Sequence, residues 1–213
     1  MPEFILVIGN KNWSSWSLRP WLVMKHAGIA FDEAHVQLRQ HGTRQQNLQH
    51  SPSGKVPVLK HNGLTIWDSL AIAEYLAELF PQKQLWPADP AARARARSIS
   101  AEMHAGFQAL RTHLPMDILG RYPGKGLDGE GVAADIARVQ EIWRDARAQW
   151  GAGGPFLYGA FSIADAMYAP VVTRFMTYDV ACDSACKTYM DAIWNMPAML
   201  EWRVGCERTG YGL

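Results

Sequence analysis

An α/β domain followed by an all-helical domain is the fold class that this sequence predicts, and three features predict it. Residues 1–80 contain short apolar runs and helical segments in the order β-α-β-β-β-α. Residues 81–90 contain three prolines and no periodicity, which is typical of a linker. Residues 91–213 contain only helical patterns. We therefore expect one domain over 1–80 and a second over 91–213, joined by the linker.

The first half of the α/β domain has the pattern of a strand-helix-strand unit. Residues 4–8 are continuously apolar, which predicts a central strand that is covered on both faces. The next helix should begin near Ser15 to Ser17 and end near Gly28, because glycine favours the left-handed position that follows a helix. The loosely alternating segment 31–38 predicts a second strand, parallel to the first.

A hairpin and a helix complete the α/β domain. Pro57 has no N–H to give to a sheet, so it should stand at the start of a strand. Asn62-Gly63 predicts a tight turn into the partner strand. Asp68 or Ser69 is expected to cap the helix that follows.

The second domain should consist of packed helices. Ser162 lies three residues before Asp165, a spacing that predicts a capping box at the start of a nearly all-apolar helix. That helix should form the core of the domain. The predicted helices span residues 91–119, 131–150, 163–176, 186–195 and 197–207.

Composition excludes several classes of protein. The chain has 213 residues, 48% hydrophobic and 19% charged, and its net charge of +1 lacks the basic excess of a nucleic-acid binder. Three cysteines cannot form an even set of disulfides, so we expect a reducing, cytoplasmic location. The seven histidines lack ligand spacing, so we expect no metal site. No apolar stretch approaches the roughly 20 residues of a membrane span, and we expect no membrane partner.

The clearest candidate site is the start of the first helix, at Ser14 and Ser15. Hydroxyls and unpaired backbone amides converge there, and the helix dipole favours an anion, thiolates included. The alternative is that both serines only cap the helix, because serine is a preferred cap in proteins generally.

As a set, these motifs resemble the cytosolic glutathione S-transferases, which combine a thioredoxin-like domain with an all-α domain. Residues 14–19 look like the serine-type, zeta-like signature, and Val56-Pro57 looks like the family's cis-proline. Residues 68–72 resemble its Glu/Gln-Ser-x-Ala-Ile element, and residues 162–165 its helical-domain box. The resemblance covers essentially the whole chain.

The resemblance implies a homodimeric transferase that adds glutathione to a small hydrophobic electrophile. The zeta signature normally reads Ser-Ser-Cys-x-Trp-Arg, whereas this chain has Trp16 in place of the cysteine and Leu18 in place of the tryptophan. These two departures weigh against zeta-specific isomerisation, so a maleylacetoacetate-type isomerase is kept only as an alternative. A glutathione-dependent peroxidase is a further alternative. From another class, a non-catalytic glutathione-binding module is also possible, because a fold does not guarantee its activity.

The resemblance also implies the residues that hold glutathione. The Val56 backbone, turned outward by a cis bond before Pro57, should pair with the cysteinyl main chain. Asp68 and Ser69 should hold the γ-glutamyl end by its ammonium and carboxylate. The full implied set is Ser14, Ser15, Trp16, His41, Lys55, Val56, Pro57, Asp68 and Ser69, with Lys55 and His41 near the glycyl carboxylate.

Chemistry should depend on a serine hydroxyl. A free thiol with a pKa of about 8.5 is only a few per cent ionised at pH 7, and lowering its pKa by two units takes about 2.7 kcal/mol. One charge-assisted hydrogen bond of about 1.5–3 kcal/mol plus a helix N-terminus of about 0.3–1 kcal/mol can supply this. By its position in the resembling motif, Ser14 is expected to make that bond, with Ser15 as a supporting donor and the second candidate. The implied electrophile pocket lies between the two domains, with Trp13 and Trp16 on one side and residues 104–116 and 174–178 on the other. Its named members are Trp13, Arg111, Met116, Arg174 and Tyr178.

Overall fold

A mixed four-stranded sheet and three helices form the N-terminal half of the chain. The structure is a computed structural model that describes the backbone of residues 3–208 and the side chains of residues 3–206. The strands are β1 (Phe4–Ile8), β2 (Asp32–His35), β3 (Val58–His61) and β4 (Leu64–Ile66), in the sheet order β2-β1-β3-β4. The helices are α1 (Ser15–His26), α2 (Thr43–Leu48) and α3 (Ser69–Leu79). This is the predicted β-α-β-β-β-α order.

Strand directions in the sheet follow the predicted pattern. β1 is central, runs parallel to β2 and antiparallel to β3, and β3 pairs antiparallel with β4. Val7 on β1 lies opposite Ala34 on one side and Val58 on the other. The chain leaves the sheet at the C-terminal end of β1 and enters α1 there, so the start of α1 lies at that end of the strand.

Two glycines give the chain its predicted turns. Gly28 has a φ of +65° and donates its N–H to the Lys25 carbonyl, while the Ile29 N–H bonds to the Met24 carbonyl, which closes α1 in a Schellman motif. Gly63 has a φ of +80° beside Asn62 at +47°, so both turn residues of the β3–β4 hairpin are left-handed. The predicted end of α1 and the predicted hairpin are both confirmed.

Helices form the C-terminal half. They are α4 (Pro90–Ala105), α5 (Gln108–His113), α6 (Val132–Trp150), α7 (Ile163–Tyr178), α8 (Ser184–Asn195) and α9 (Pro197–Arg208). α7 is buried along almost its whole length and packs against α1, α4 and α8. One hydrophobic core therefore runs through both halves and fixes α1 against the helical half. Within the described residues, no helix combines the length and apolar character needed to cross a membrane.

The single helix predicted over 91–119 is wrong. α4 ends at Ala105, and Gly106 has an extended conformation. A Cβ atom at position 106 would lie only 2.9 Å from the Glu102 carbonyl oxygen, so the position favours glycine. Phe107 then adopts a left-handed conformation with a φ of +59°. The second helix stops at His113, close to Pro115, which disfavours helical geometry in the residue before it.

The predicted capping box at the start of α7 is confirmed. Asp165 is fully buried, and its carboxylate accepts hydrogen bonds from the Ser162 N–H at 2.8 Å and the Ser162 hydroxyl at 3.0 Å. It also accepts the Leu157 N–H at 3.0 Å, so it ties the preceding loop to the helix start. The box thus orders the N-terminus of the most deeply buried helix.

Candidate functional site

A cleft of about 480 Å³ opens between the N-terminal half and the end of α4. Six of the nine predicted glutathione-binding residues line it, together with three further residues. The lining residues are Trp16, Ser53, Lys55, Val56, Pro57, Trp67, Asp68, Ser69 and His104. They come from the start of α1, the segment before β3, the start of α3 and the last turn of α4.

Ser14 and Ser15 lie next to Trp16 at the mouth of α1, and they differ in their hydrogen bonds. The Ser14 hydroxyl accepts the Ser17 N–H at 3.4 Å and donates to the Ser17 hydroxyl at 2.7 Å, and the latter also accepts the Gly9 N–H at 3.1 Å. Ser14 is therefore the N-cap of α1. The Ser15 hydroxyl bonds to no residue between 3 and 208. Both serines are largely buried, and neither lines the cleft itself.

The segment before β3 presents a free backbone to the cleft. The Val56–Pro57 peptide bond is cis, as predicted. Val56 precedes the first paired residue of β3, and its N–H and C=O form no hydrogen bond within residues 3–208. Lys55 is exposed beside it. A donor, an acceptor and a cation are thus available to an extended peptide in the cleft.

The start of α3 offers a carboxylate and a hydroxyl. Asp68 follows a cis bond after Trp67 and caps α3, where its Oδ1 atom accepts the N–H groups of Leu70 at 3.1 Å and Ala71 at 3.5 Å. Its Oδ2 atom lies 3.0 Å from Nε2 of His104. The Ser69 hydroxyl is buried and unpaired within the described residues. Both groups are placed to bind a zwitterion at a helix N-terminus.

Trp16 is held between cationic side chains of both halves. The guanidinium carbons of Arg19 and Arg111 lie 4.2 Å and 4.6 Å from the centroid of its ring. Arg19 is fully buried, and within residues 3–208 none of its side-chain nitrogens has a hydrogen-bond partner. Burial, with Arg111 and Arg174 nearby, holds the pKa of the Arg19 guanidinium well below its usual range. Two guanidinium groups thus lie against the ring of Trp16.

The structure does not bring the predicted electrophile residues to this cleft. Met116 and Tyr178 are buried, and the Tyr178 hydroxyl donates to the Pro115 carbonyl at 3.0 Å. Arg174 is also buried and donates to the carbonyls of Leu114 and Pro170. Their polar groups are occupied by the protein's own backbone.

Three other predicted residues lie away from the cleft lining. Arg111 donates to the carbonyls of Met103, His104 and Gly106, so it closes the C-terminal end of α4. Trp13 stacks with Arg39, and the Arg39 guanidinium carbon lies 4.5 Å from the centroid of the Trp13 ring. His41 is exposed in the turn before α2.

Ser53, Trp67 and His104 line the cleft but were not among the predicted glutathione-binding residues. Ser53 and Trp67 adjoin predicted residues in the sequence, so proximity to Lys55 and Asp68 was a usable signal. His104 opens the range 104–116 that was expected to line the electrophile pocket, but nothing in the sequence indicated its contact with Asp68. Within residues 3–208, no group of three or more His, Cys, Asp or Glu side chains is arranged to hold a metal ion.

Glu33 on β2 anchors the loop that leads into α1. Its carboxylate accepts hydrogen bonds from the Trp21 indole at 2.6 Å and from Lys11 at 2.9 Å, and it lies 3.0 Å from His35. Burial alone would raise the pKa of Glu33, but hydrogen bonds from His35, Trp21 and Lys11 outweigh it and lower the pKa to about 2. The Lys11 carbonyl also accepts the Trp202 indole N–H from α9.

We expect Glu33→Gln to destabilise the protein by about 1–3 kcal/mol at pH 7, because a charged acceptor is lost. The lowered pKa contributes stability that is present above the ordinary glutamate pKa of about 4.3 and is lost as the pH falls towards 2. The urea midpoints of wild type and variant should therefore converge in acid. The exposed Glu130→Gln is the control, and a gap of constant size at every pH would contradict this assignment.

Comparison with known proteins identifies both halves of the chain. Residues 13–79 match the family model described as "Glutathione S-transferase, N-terminal domain", and residues 129–206 match "Glutathione S-transferase, C-terminal domain". A glutathione transferase homologue from Burkholderia, crystallised with bound glutathione, superposes with a TM-score of 0.73 at 22% identity and covers 98% of this chain and 99% of that chain. This likeness shows the fold.

Two relatives add sequence similarity. The maleylacetoacetate isomerase of Rattus norvegicus is 29% identical over 169 residues, which are 78% of this chain and 75% of that protein. The probable glutathione transferase of Aplysia californica is 35% identical over 82 residues, which are 38% of this chain and 87% of that protein. Matches to the maleylacetoacetate isomerase of Mus musculus and to two proteins named probable maleylacetoacetate isomerases, from Caenorhabditis elegans and Drosophila melanogaster, span slightly less than half of those proteins.

Proposed function

The chain belongs to the glutathione S-transferase family of glutathione-using enzymes, and we propose that it adds the glutathione thiolate to a small hydrophobic electrophile. One observation carries the proposal. The cleft joins an unpaired strand-like backbone at Val56, a zwitterion site at Asp68 and Ser69, and the N-terminus of α1. Peptide backbone, γ-glutamyl end and thiol of one tripeptide each have a matching group there.

The chemical step proposed is attack by an ionised sulfur. The thiol proton leaves to solvent, and the thiolate forms a carbon–sulfur bond with the electrophile. In an addition, the π bond of the electrophile opens and its electron pair takes a proton from solvent; in a substitution, the leaving group departs with the electron pair of its bond to carbon. We assign the stabilising hydroxyl to Ser14, which can turn its proton from Ser17 to sulfur while the Ser17 oxygen keeps the Gly9 N–H. Ser15 is the second candidate, because its hydroxyl has no partner to give up among the described residues. The guanidinium groups of Arg19 and Arg111 beside Trp16 would favour the same anion when they are protonated.

The remaining site residues hold the tripeptide or the second substrate. Val56 would pair with the cysteinyl main chain, with Pro57 shaping the segment, and Lys55 and the more distant His41 would meet the glycyl carboxylate. The electrophile pocket of Trp13, Arg111, Met116, Arg174 and Tyr178 stays a proposal, since its binding would need these packed side chains to open towards the cleft. The composition supports a cytoplasmic location.

The test is a panel of electrophiles, peroxides and maleyl substrates, each assayed with glutathione, beside retention on immobilised glutathione. Retention together with consumption of glutathione supports the transferase. Turnover with regeneration or oxidation of glutathione would replace it by an isomerase or a peroxidase. Retention on immobilised glutathione without any turnover would favour a non-catalytic binding module. Absence of retention would refute the proposal.

An isomerase is the second candidate because several relatives bear the name maleylacetoacetate isomerase. In that reaction glutathione would add to the substrate and leave again, so the same thiolate site would serve. Trp16 stands where the resembling signature has cysteine. Turnover of a maleyl substrate at constant glutathione concentration would decide for this function.

We also propose a homodimer formed by α3 and α4 with the adjoining strand β4. Leu64 on β4 and Leu79 on α3 are 52% and 40% exposed, and the proposed dimer would cover both. Sedimentation at micromolar concentration should give twice the chain mass of 23.8 kDa. Leu64→Lys should shift the protein towards monomer, whereas Leu200→Lys on α9 should not. A wild-type protein that sediments as a monomer would refute the dimer.

A further inference from the structure

His104 lies where the helical half meets the γ-glutamyl end of the proposed glutathione site. It belongs to the last turn of α4, and within residues 3–208 it is the one lining residue of the cleft that comes from the helical half. Its Nε2 atom is 3.0 Å from Oδ2 of Asp68. Its ring packs edge-on against Trp16, with 5.2 Å between the ring centroids. His104 thus contacts two other lining residues of the cleft, Asp68 at the cap of α3 and Trp16 on α1.

The two carboxylate oxygens of Asp68 have separate partners. Oδ1 caps α3 by accepting the N–H groups of Leu70 and Ala71. Oδ2 faces His104. A carboxylate oxygen has two lone pairs, so Oδ2 can accept from His104 and still accept from the ammonium of a ligand. The contact therefore fixes the direction of this oxygen without blocking it.

Stability alone does not explain this pair. The side chains of Asp68 and His104 are 53% and 25% exposed, and ion pairs at such positions contribute little. Nδ1 of His104 is buried and has no partner within the described residues, which is unfavourable. The Asp68–His104 contact therefore adds little to stability, and the unpaired Nδ1 atom lowers it.

We propose that His104 is a positioning residue for glutathione. It directs Oδ2 of Asp68 into the cleft, so that the carboxylate pairs with the γ-glutamyl ammonium. Recognition of that ammonium thereby depends on the helical half, through the end of α4 that Arg111 closes. The inference rests on the proposed glutathione-using function.

The test compares glutathione with its analogue glutaryl-cysteinylglycine, which lacks only the γ-glutamyl amino group. Wild type should prefer glutathione by at least about tenfold in KM, the value of one charge-assisted bond. His104→Ala should raise the KM for glutathione about three- to tenfold and reduce the preference by a similar factor. The kcat should stay within about twofold, because the serine hydroxyls are untouched. His104→Gln, which keeps an N–H donor, should restore most of the preference.

Two controls separate this role from a structural one. His113→Ala removes an exposed histidine of the same half and should leave the preference unchanged. In a double-mutant cycle, Asp68→Asn and His104→Ala should be less than additive in KM. An unchanged preference in His104→Ala, even with lower stability, would overturn the inference. Failure of the wild-type protein to bind glutathione would instead refute the proposed function. This outcome is measured on the wild-type protein alone, so it is distinguishable from failure of the inference about His104.

Discussion

Ser14→Ala should lower the rate of glutathione addition at pH 7 about ten- to a hundredfold, because one charge-assisted bond of about 1.5–3 kcal/mol to the thiolate is lost. The affinity for glutathione should change far less, since Val56, Asp68 and Ser69 would hold the rest of the tripeptide. The measurement is kcat and KM for a common electrophile over a range of pH. A loss confined to KM would contradict the assignment.

The same substitution also removes a helix cap, and that effect must be separated from chemistry. The Ser14 hydroxyl accepts the Ser17 N–H, so its loss should cost about 0.5–2 kcal/mol of stability whatever the ligand. Asp89→Ala is the matched control, because Asp89 caps α4 by accepting the Ala92 N–H at 2.7 Å. It should destabilise the protein similarly and leave kcat unchanged. A similar fall in kcat for both variants would reduce Ser14 to a cap.

Asp165→Ala should cause the largest loss of stability in the chain. Burial raises the pKa of Asp165 to about 6, so at pH 7.5 the carboxylate is ionised and accepts three hydrogen bonds. Alanine leaves the buried N–H groups of Leu157 and Ser162 without a partner, at about 1–3 kcal/mol each. The Tm should therefore fall by about 5–20 °C.

Thermal unfolding of a matched series tests this role. Asp165→Asn keeps one acceptor oxygen and should lose roughly half as much stability as the alanine variant. Asp191→Ala replaces an exposed aspartate of α8 and should change the Tm little. Near-equal Tm values for Asp165→Ala and Asp191→Ala would show that the box does not anchor α7.

Local signals were enough to predict most of the fold. Gly28, Asn62-Gly63 and the Ser162–Asp165 box each set a backbone geometry through neighbours in sequence, and the structure has each of them as predicted. The break at Gly106 was missed because an alanine-rich stretch favours helix on both sides of it. That break depends on the left-handed Phe107 and on Arg111, whose guanidinium binds the carbonyls that the break leaves free.

Sequence reasoning could indicate the site residues only where neighbours in the sequence mark them. Asp68 and Ser69 lie at a helix start, and Val56 precedes a proline, so sequence position alone marks them. His104 and Arg174 are different, because their partners depend on how distant helices cross. His104 reaches Asp68 across the boundary between the two halves, whereas Arg174 is taken up by backbone carbonyls in the core.

The most direct measurement is a pH titration of thiolate absorbance in the binary complex with glutathione, for wild type, Ser14→Ala and Ser15→Ala side by side. The pKa of the bound thiol should lie about two units below the 8.5 of a free thiol in wild type. In Ser14→Ala it should rise by about one to two units, and in Ser15→Ala by less. A rise only in Ser15→Ala would assign the role to Ser15. An unshifted titration in both variants would contradict serine-assisted ionisation altogether.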